Sequence, residues 1–214
     1  EDAGCFEIEY TSGDVVRVPV PRYTMPDVPK LSAGYYAKPR MDLLDLFIGA
    51  EGTLGVVIEA TLAVVPRPRR VAALIRCAND RQAVALTSRL REEAVLAWSN
   101  RGPLDVAAIE FMDARALRAV PDDAFARAGV VRPSGQSVML LLQIEVDARE
   151  EPALDRLQSV LESMGIEDDP HLALSGDDRG AERLFNVRES VPAGVNAIVA
   201  VTKQTHPEVE KTAG

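Results

Sequence analysis

Three glycines fall at positions 49, 52 and 55 inside the run DLFIGAEGTLGVVIEATLAVVPRP, residues 45–68. Glycine has no Cβ, so its backbone takes positive φ freely and neighbouring N–H groups can come close to an anion. The chemistry on offer is main-chain cradling of a phosphate or dinucleotide. Two common versions fail here. A Rossmann turn needs G-x-G-x-x-G and a following helix whose N-terminus faces the pyrophosphate. This chain has G-x-x-G-x-x-G, and the residues after Gly55 read as a strand. A Walker A loop needs Gly-Lys-Ser/Thr, whereas Gly55 is followed by Val56 and Val57. Two readings remain: main-chain contact to a dinucleotide or phosphate, or a plain glycine turn in which Gly49 and Gly52 merely supply positive φ.

Other reactive groups are few. Arg188 lies among Leu184, Phe185 and Val191. An arginine beside an apolar face either snorkels or meets an anion, and its planar fork suits a carboxylate. The competing partners are acids near Glu189, or Asp177. His171 and His206 lie 35 residues apart without carboxylate company and read as surface or loop residues. Cys5 and Cys77, the two cysteines, form no CxxC and no disulfide framework; they read as buried thiols in a reducing compartment.

The elements that must hold these groups are legible in order along the chain. FEIEY, TSGD and VVRVPV form a hairpin over 4–20. Residues 21–40 are crowded with proline and glycine and read as a long loop, of a length that tends to be functional. MDLLDLF is a short helix or turn. Alternation and β-branched content predict a strand over 56–65. PRPRR ends it and marks a domain boundary near 66–70. Beyond it, the patterns predict a strand at 71–78 and a helix at 80–94 capped by Asp80, with Ala83, Leu86, Leu90 and Ala94 on one face. A strand at 105–112, a short helix at 114–120 capped by Asp113 and a strand at 137–146 come next. The helix at 152–164 has Pro152 near its start and Gly165 past its end. HLALS is a short strand, and a last helix runs from about 178 to 191. The fold class is α+β, and strand, helix, strand, strand, helix, strand is the split-βαβ, ferredoxin-like order.

Composition sets the outer limits. Net charge is −9, with 6 basic against 10 acidic residues over 1–68 and 18 against 23 over 69–214. No basic face stands out, which argues against a nucleic-acid partner. Hydrophobic content of 47 % allows a real core. No apolar run reaches the ~20 residues of a membrane span. Nothing at the start resembles a signal peptide. The chain starts without Met and stops at EKTAG, so both ends look cut.

The run 45–68 resembles G-S-E-G-T-L-G-[IV]-[IV]-T-E-A-T-L-x-[LV]-x-P-x-P of the FAD-linked oxidases in the vanillyl-alcohol oxidase / p-cresol methylhydroxylase superfamily. The group is that of D-lactate, glycolate and D-2-hydroxyglutarate dehydrogenases and alkyl-dihydroxyacetone-phosphate synthase. KLSAGYY (30–36) is similar to that family's K-x-x-x-G-Y-[DY]. DVAAIEFMDARAL (105–117) and LFNVRESVPAGVN (184–196) resemble segments of its C-terminal cap domain. Ala50 stands where serine is usual, and Ile58 where threonine is common.

The resemblance implies that residues 1–68 are the C-terminal part of a PCMH-type FAD-binding domain and 69–214 most of a ferredoxin-like cap. FAD would lie along Gly49, Glu51, Gly52, Thr53, Leu54, Gly55, Val56 and Val57, with Gly52, Thr53 and Gly55 donating from the main chain. Thr53 also brings the one neutral side-chain donor of the loop. Glu51 would bond ribose or backbone N–H groups, or else be a buried carboxylate bracing the loop. Arg188 and Lys211 would hold the substrate carboxylate, with Lys203 as the competitor of Lys211. A threonine used by some members falls at Pro192 here. The reaction implied is oxidation of a small 2-hydroxy acid by hydride transfer to flavin, with a separate electron acceptor, in the cytoplasm, with a homodimer as the assembly considered. The general base and the ligands of any divalent metal would lie outside this chain, which alone would be inactive and bind FAD weakly or not at all. The rival classes are a non-catalytic ferredoxin-like binding module and an FAD-dependent alkyl-transfer enzyme.

Overall fold

The computed structural model describes residues 4–28, 31 and 34–209. The chain divides after Val65 into two compact units. In the first, β1 (Cys5–Glu9) and β2 (Val15–Pro19) pair antiparallel, with Gly13 at φ +86° in the turn between them. Glu7 faces Arg17 across the ladder and forms an ion pair at 2.6 Å. Phe6, Ala37 and Met41 make a small core with Val18, Val20, Met25 and Leu46 around it. Residues 21–28 carry no regular structure, and α1 (Leu44–Phe47) is a single turn.

The strand expected at 56–65 does not form. Val56, Ile58, Leu62 and Val64 are 77–96 % exposed and make no ladder. Alternation gives a segment the surface of a strand, but a strand exists only with a partner to take its N–H and C=O groups. Among the described residues this segment has none.

In the second unit a four-stranded sheet has the order β4-β5-β3-β6, with every neighbouring pair antiparallel. Its strands are β3 (Arg69–Cys77), β4 (Asp105–Met112), β5 (Val138–Val146) and β6 (His171–Ala173). The two middle strands, β3 and β5, are apolar almost throughout because both sheet faces are covered. Val71, Ala73, Ile75, Leu140, Leu142 and Ile144 face α2 (Asp80–Trp98) and α5 (Glu151–Ser163). Ala72, Leu74, Met139 and Leu141 face α3 (Ala114–Ala119), α4 (Asp122–Ala128) and α6 (Asp178–Thr205). The βαββαβ order read from the sequence is present, with α3 and α4 inserted between β4 and β5.

Three helix expectations change. Asn79, not Asp80, caps α2: its side chain accepts from the Gln82 N–H at 3.0 Å, and the helix runs on to Trp98. The helix α4 was not expected. It packs Ala124 and Phe125 inward and ends on Gly129 at φ +67°, with paired C-terminal bonds to Ala126 and Phe125. Arg132 fastens it, lying 4.7 Å over the Phe125 ring and donating to the carbonyls of Leu117 and Val120 and to Asp122 at 2.8 Å. The helix expected over 178–191 continues through Pro192 to Thr205. A proline inside a helix removes the bond its own N–H would give, here the one to the Arg188 carbonyl, and its ring crowds that carbonyl; packing of α6 against α3 and α4 carries the helix through it. Gly194, just beyond, packs so close to α3 that a Cβ there would lie 1.8 Å from the Ala119 carbonyl oxygen. Cys77 is buried as expected, but Cys5 is exposed, because in the narrow hairpin alternate side chains face solvent.

Candidate functional site

In the first unit the glycine segment is a tight turn. The Thr53 N–H donates to the Ala50 carbonyl at 2.9 Å, and the two residues between them have positive φ, +49° at Glu51 and +76° at Gly52. Two successive left-handed residues are the mark of a type I′ turn. Gly49 adds a third, at +78°. Glu51 is not glycine, and a left-handed non-glycine residue is a local strain that surrounding contacts must hold. Glu51 is also exposed, so it is not a buried brace.

The turn divides its donors. The Thr53 N–H and hydroxyl both go to the Ala50 carbonyl, the hydroxyl at 2.6 Å. The N–H groups of Gly52, Leu54, Gly55, Val56 and Val57 have no partner among the described residues. Gly55 has no positive φ, and a Cβ placed there would meet only Phe47, at an ordinary 3.8 Å. Among the described residues nothing therefore requires glycine at 55. Beside the turn, a cavity of about 290 Å³ is bordered by Gly49, Ile48, Tyr36 and Lys38. Lys38 reaches Asp45 at 3.5 Å and lies 5.5 Å from the Tyr36 ring centre.

In the second unit Arg188, on α6, meets Glu110 of β4, its Nε donating to Oε2 at 3.3 Å. Neither acid weighed from the sequence, near Glu189 or at Asp177, is its partner; Asp177 instead caps α6 by accepting from the Gly180 N–H. A β-bulge between Val106 and Ala108 makes the contact possible. Val106 packs on the α2/α5 side, and the extra residue turns Met112 to the α6 side. Glu110 faces Leu141, a residue of that same α6-side layer. Both terminal nitrogens of Arg188 lack partners among the described residues and present a two-pronged donor. The IEFM and VRES stretches, 78 residues apart, thus converge on one ion pair.

Lys203 sits in the last turn of the same helix, 15 residues and about 22 Å along the axis from Arg188, so the two cannot share one small carboxylate. Lys211 lies outside the described residues. A cavity of about 460 Å³ near the start of α6 is lined by Arg67, Arg69, Arg70, Gln143 and Phe185. Arg67 and Arg70 are paired there with Asp178 and Glu145. Among the described residues no cluster of histidine, cysteine and carboxylates could hold a metal, and no helix is long and apolar enough to cross a membrane.

No protein-family model matches the chain. Over 137 residues it is 30 % identical to the glycolate oxidase subunit GlcD of Bacillus subtilis strain 168, covering 64 % of this chain and 24 % of that protein. It is 50 % identical over 48 residues to a D-lactate dehydrogenase of Anaerostipes hadrus, 22 % of this chain and 9 % of the relative. Over 169 residues it is 28 % identical to a D-2-hydroxyglutarate dehydrogenase of Stutzerimonas stutzeri strain A1501, covering 77 % and 32 %. The chain spans under a third of the length of each of these relatives.

Proposed function

We infer that this chain, which belongs among the FAD-linked oxidases of the glycolate, D-lactate and D-2-hydroxyglutarate group, carries part of the cofactor site and part of the substrate site of an enzyme that oxidises a 2-hydroxy acid. The first unit is then the C-terminal part of the flavin domain, and the second is the cap. The glycine turn supports this reading most directly. Among the described residues its N–H groups at 52 and 54–57 are unpaired and nothing requires its third glycine. That is the donor set a pyrophosphate or flavin edge needs, delivered by backbone with no side chain in the way. Glu51, exposed beside it, suits a ribose hydroxyl and not a phosphate. FAD, when bound, supplies the hydride acceptor. The chain's own part is to hold that cofactor and, through the free prongs of Arg188, to orient the substrate carboxylate.

Gly52→Val and Gly55→Ala, made in the intact protein, test the reading by FAD titration and flavin absorbance. At 52 the valine is forbidden by its φ of +76° although the space is open. At 55 the alanine strains nothing in the chain. Loss of flavin in the first, and at least a tenfold weaker affinity in the second, are expected, with the thermal transition of the second unit unchanged. Wild-type flavin affinity in Gly55→Ala would show that no ligand approaches there.

A further inference from the structure

We propose that Tyr35 is the positioning residue of the glycine turn, acting through Thr53. The direction of the hydrogen bonds comes from counting protons. The Thr53 hydroxyl has one proton, and it goes to the Ala50 carbonyl, which can only accept. The 2.8 Å contact between the Tyr35 and Thr53 hydroxyls must then run from Tyr35 to Thr53. Tyr35 is itself held, because its carbonyl accepts from the Tyr23 hydroxyl. The result is a directed relay, Tyr35 to Thr53 to Ala50, whose members strengthen one another. It ends on the carbonyl that opens the turn, immediately before the left-handed pair Glu51 and Gly52.

This gives the strained turn its support. The Ala50 carbonyl takes two donors from the same residue, and the methyl of Ala50 is buried beneath it. With that carbonyl fixed, the turn cannot relax by flipping the peptide between Ala50 and Glu51. The N–H groups beyond it stay unpaired and in register for a ligand. Tyr35 is 41 % exposed and contributes little to the core, so the relay is its main tie to the fold. The cofactor half of the proposal rests on the flavin reading of the turn; the turn-holding half does not.

The test uses Tyr35→Phe, Thr53→Val and Thr53→Ser in the intact protein, each measured by amide hydrogen exchange without flavin and by FAD titration. Tyr35→Phe should speed exchange at the Thr53 N–H about five- to tenfold, Thr53→Val by more, and Thr53→Ser, which keeps the hydroxyl, hardly at all. Amides of Phe6–Ile8 in the hairpin should exchange as in the wild type. FAD affinity should fall in the same order by a similar factor, with Thr53→Ser rescued. Unchanged exchange at Thr53 in Tyr35→Phe overturns the proposal. Faster exchange with unaltered FAD affinity also overturns it, because the turn would then be ordered for something other than the cofactor. If the intact wild-type protein takes up no FAD while exchange responds as expected, the flavin reading falls and the turn-holding role stands.

Discussion

Arg188→Lys separates the two roles open to that side chain. Glu110 takes one N–H of Arg188 at 3.3 Å, and the two side chains are 46 % and 42 % exposed. A pair this open to solvent is worth about 0.2–1 kcal/mol, so the substitution should change the unfolding free energy by no more than ~1 kcal/mol. A substrate carboxylate held by both free terminal nitrogens stands to lose much more. Lysine keeps the charge but not the fork, and each charge-assisted bond is worth about 1.5–3 kcal/mol, roughly 10- to 150-fold in kcat/KM. Arg188→Met should lose more still, and Glu110→Gln, which only frees Nε, should stay within about threefold of the wild type. The assay is steady-state turnover of the flavin-loaded protein with D-lactate, glycolate and D-2-hydroxyglutarate and an artificial electron acceptor. Flavin absorbance is the loading control, and it should not change. If Arg188→Lys keeps wild-type kcat/KM on every 2-hydroxy acid that turns over while its melting temperature falls, Arg188 is a structural partner of Glu110 and the substrate cation lies elsewhere.

Three further outcomes are expected. Glu93 is 1 % exposed between α2 and α5, bonded by Arg156 at 2.6 and 2.9 Å and paired with Arg89. Bonds from Arg156 and the charges of both arginines outweigh burial and hold its carboxyl below the usual range. The stabilisation is therefore complete above the unfolded value near 4.5 and is lost as pH falls through the lower folded value. Melting temperatures from pH 7 to 3 should fall more steeply for the wild type than for Glu93→Gln, and superimposable curves would refute the assignment. Gly194→Ala should destabilise the second unit by roughly 1–3 kcal/mol, because the α6–α3 approach leaves no room for a methyl group; denaturant unfolding measures it. Cys77 is buried and its thiol is pushed up to about 11, whereas Cys5 is exposed. A thiol reagent at pH 8 should therefore label one cysteine in the native protein and the second only on unfolding.

What could be read in advance was whatever the chain decides locally. Asp113 caps the helix assigned to it, accepting from the N–H group of Ala116. Gly165 closes α5 with φ +65°, and the middle strands announce themselves by unbroken apolar runs. What could not be read depends on distant partners. Residues 56–65 have a strand's alternation without a ladder, and Pro192 signals a stop that α6 overrides because its packing against α3 and α4 offsets the lost hydrogen bond and the crowded carbonyl. The helix α4 is written in three alanines and a phenylalanine behind two aspartates, too short a pattern to register before Arg132 is known to fasten it.

The candidate site divides along the same line. Glycines at 49, 52 and 55 are visible as letters, and so is an arginine among apolar neighbours. Their complements are not. Tyr35 reaches Thr53 only because an 18-residue excursion brings its hydroxyl back to the turn. Glu110 depends on a single extra residue. Strict alternation along β4 would keep Val106, Ala108, Glu110 and Met112 on one face, with Val106 buried against α2 and α5. The bulge after Val106 breaks that parity, so Met112 enters the α6 layer and Glu110 meets Arg188. A register shift of one residue moves every later side chain to the opposite face. The pairing of the two motifs is therefore a property of the sheet register, which neither motif carries in its own letters.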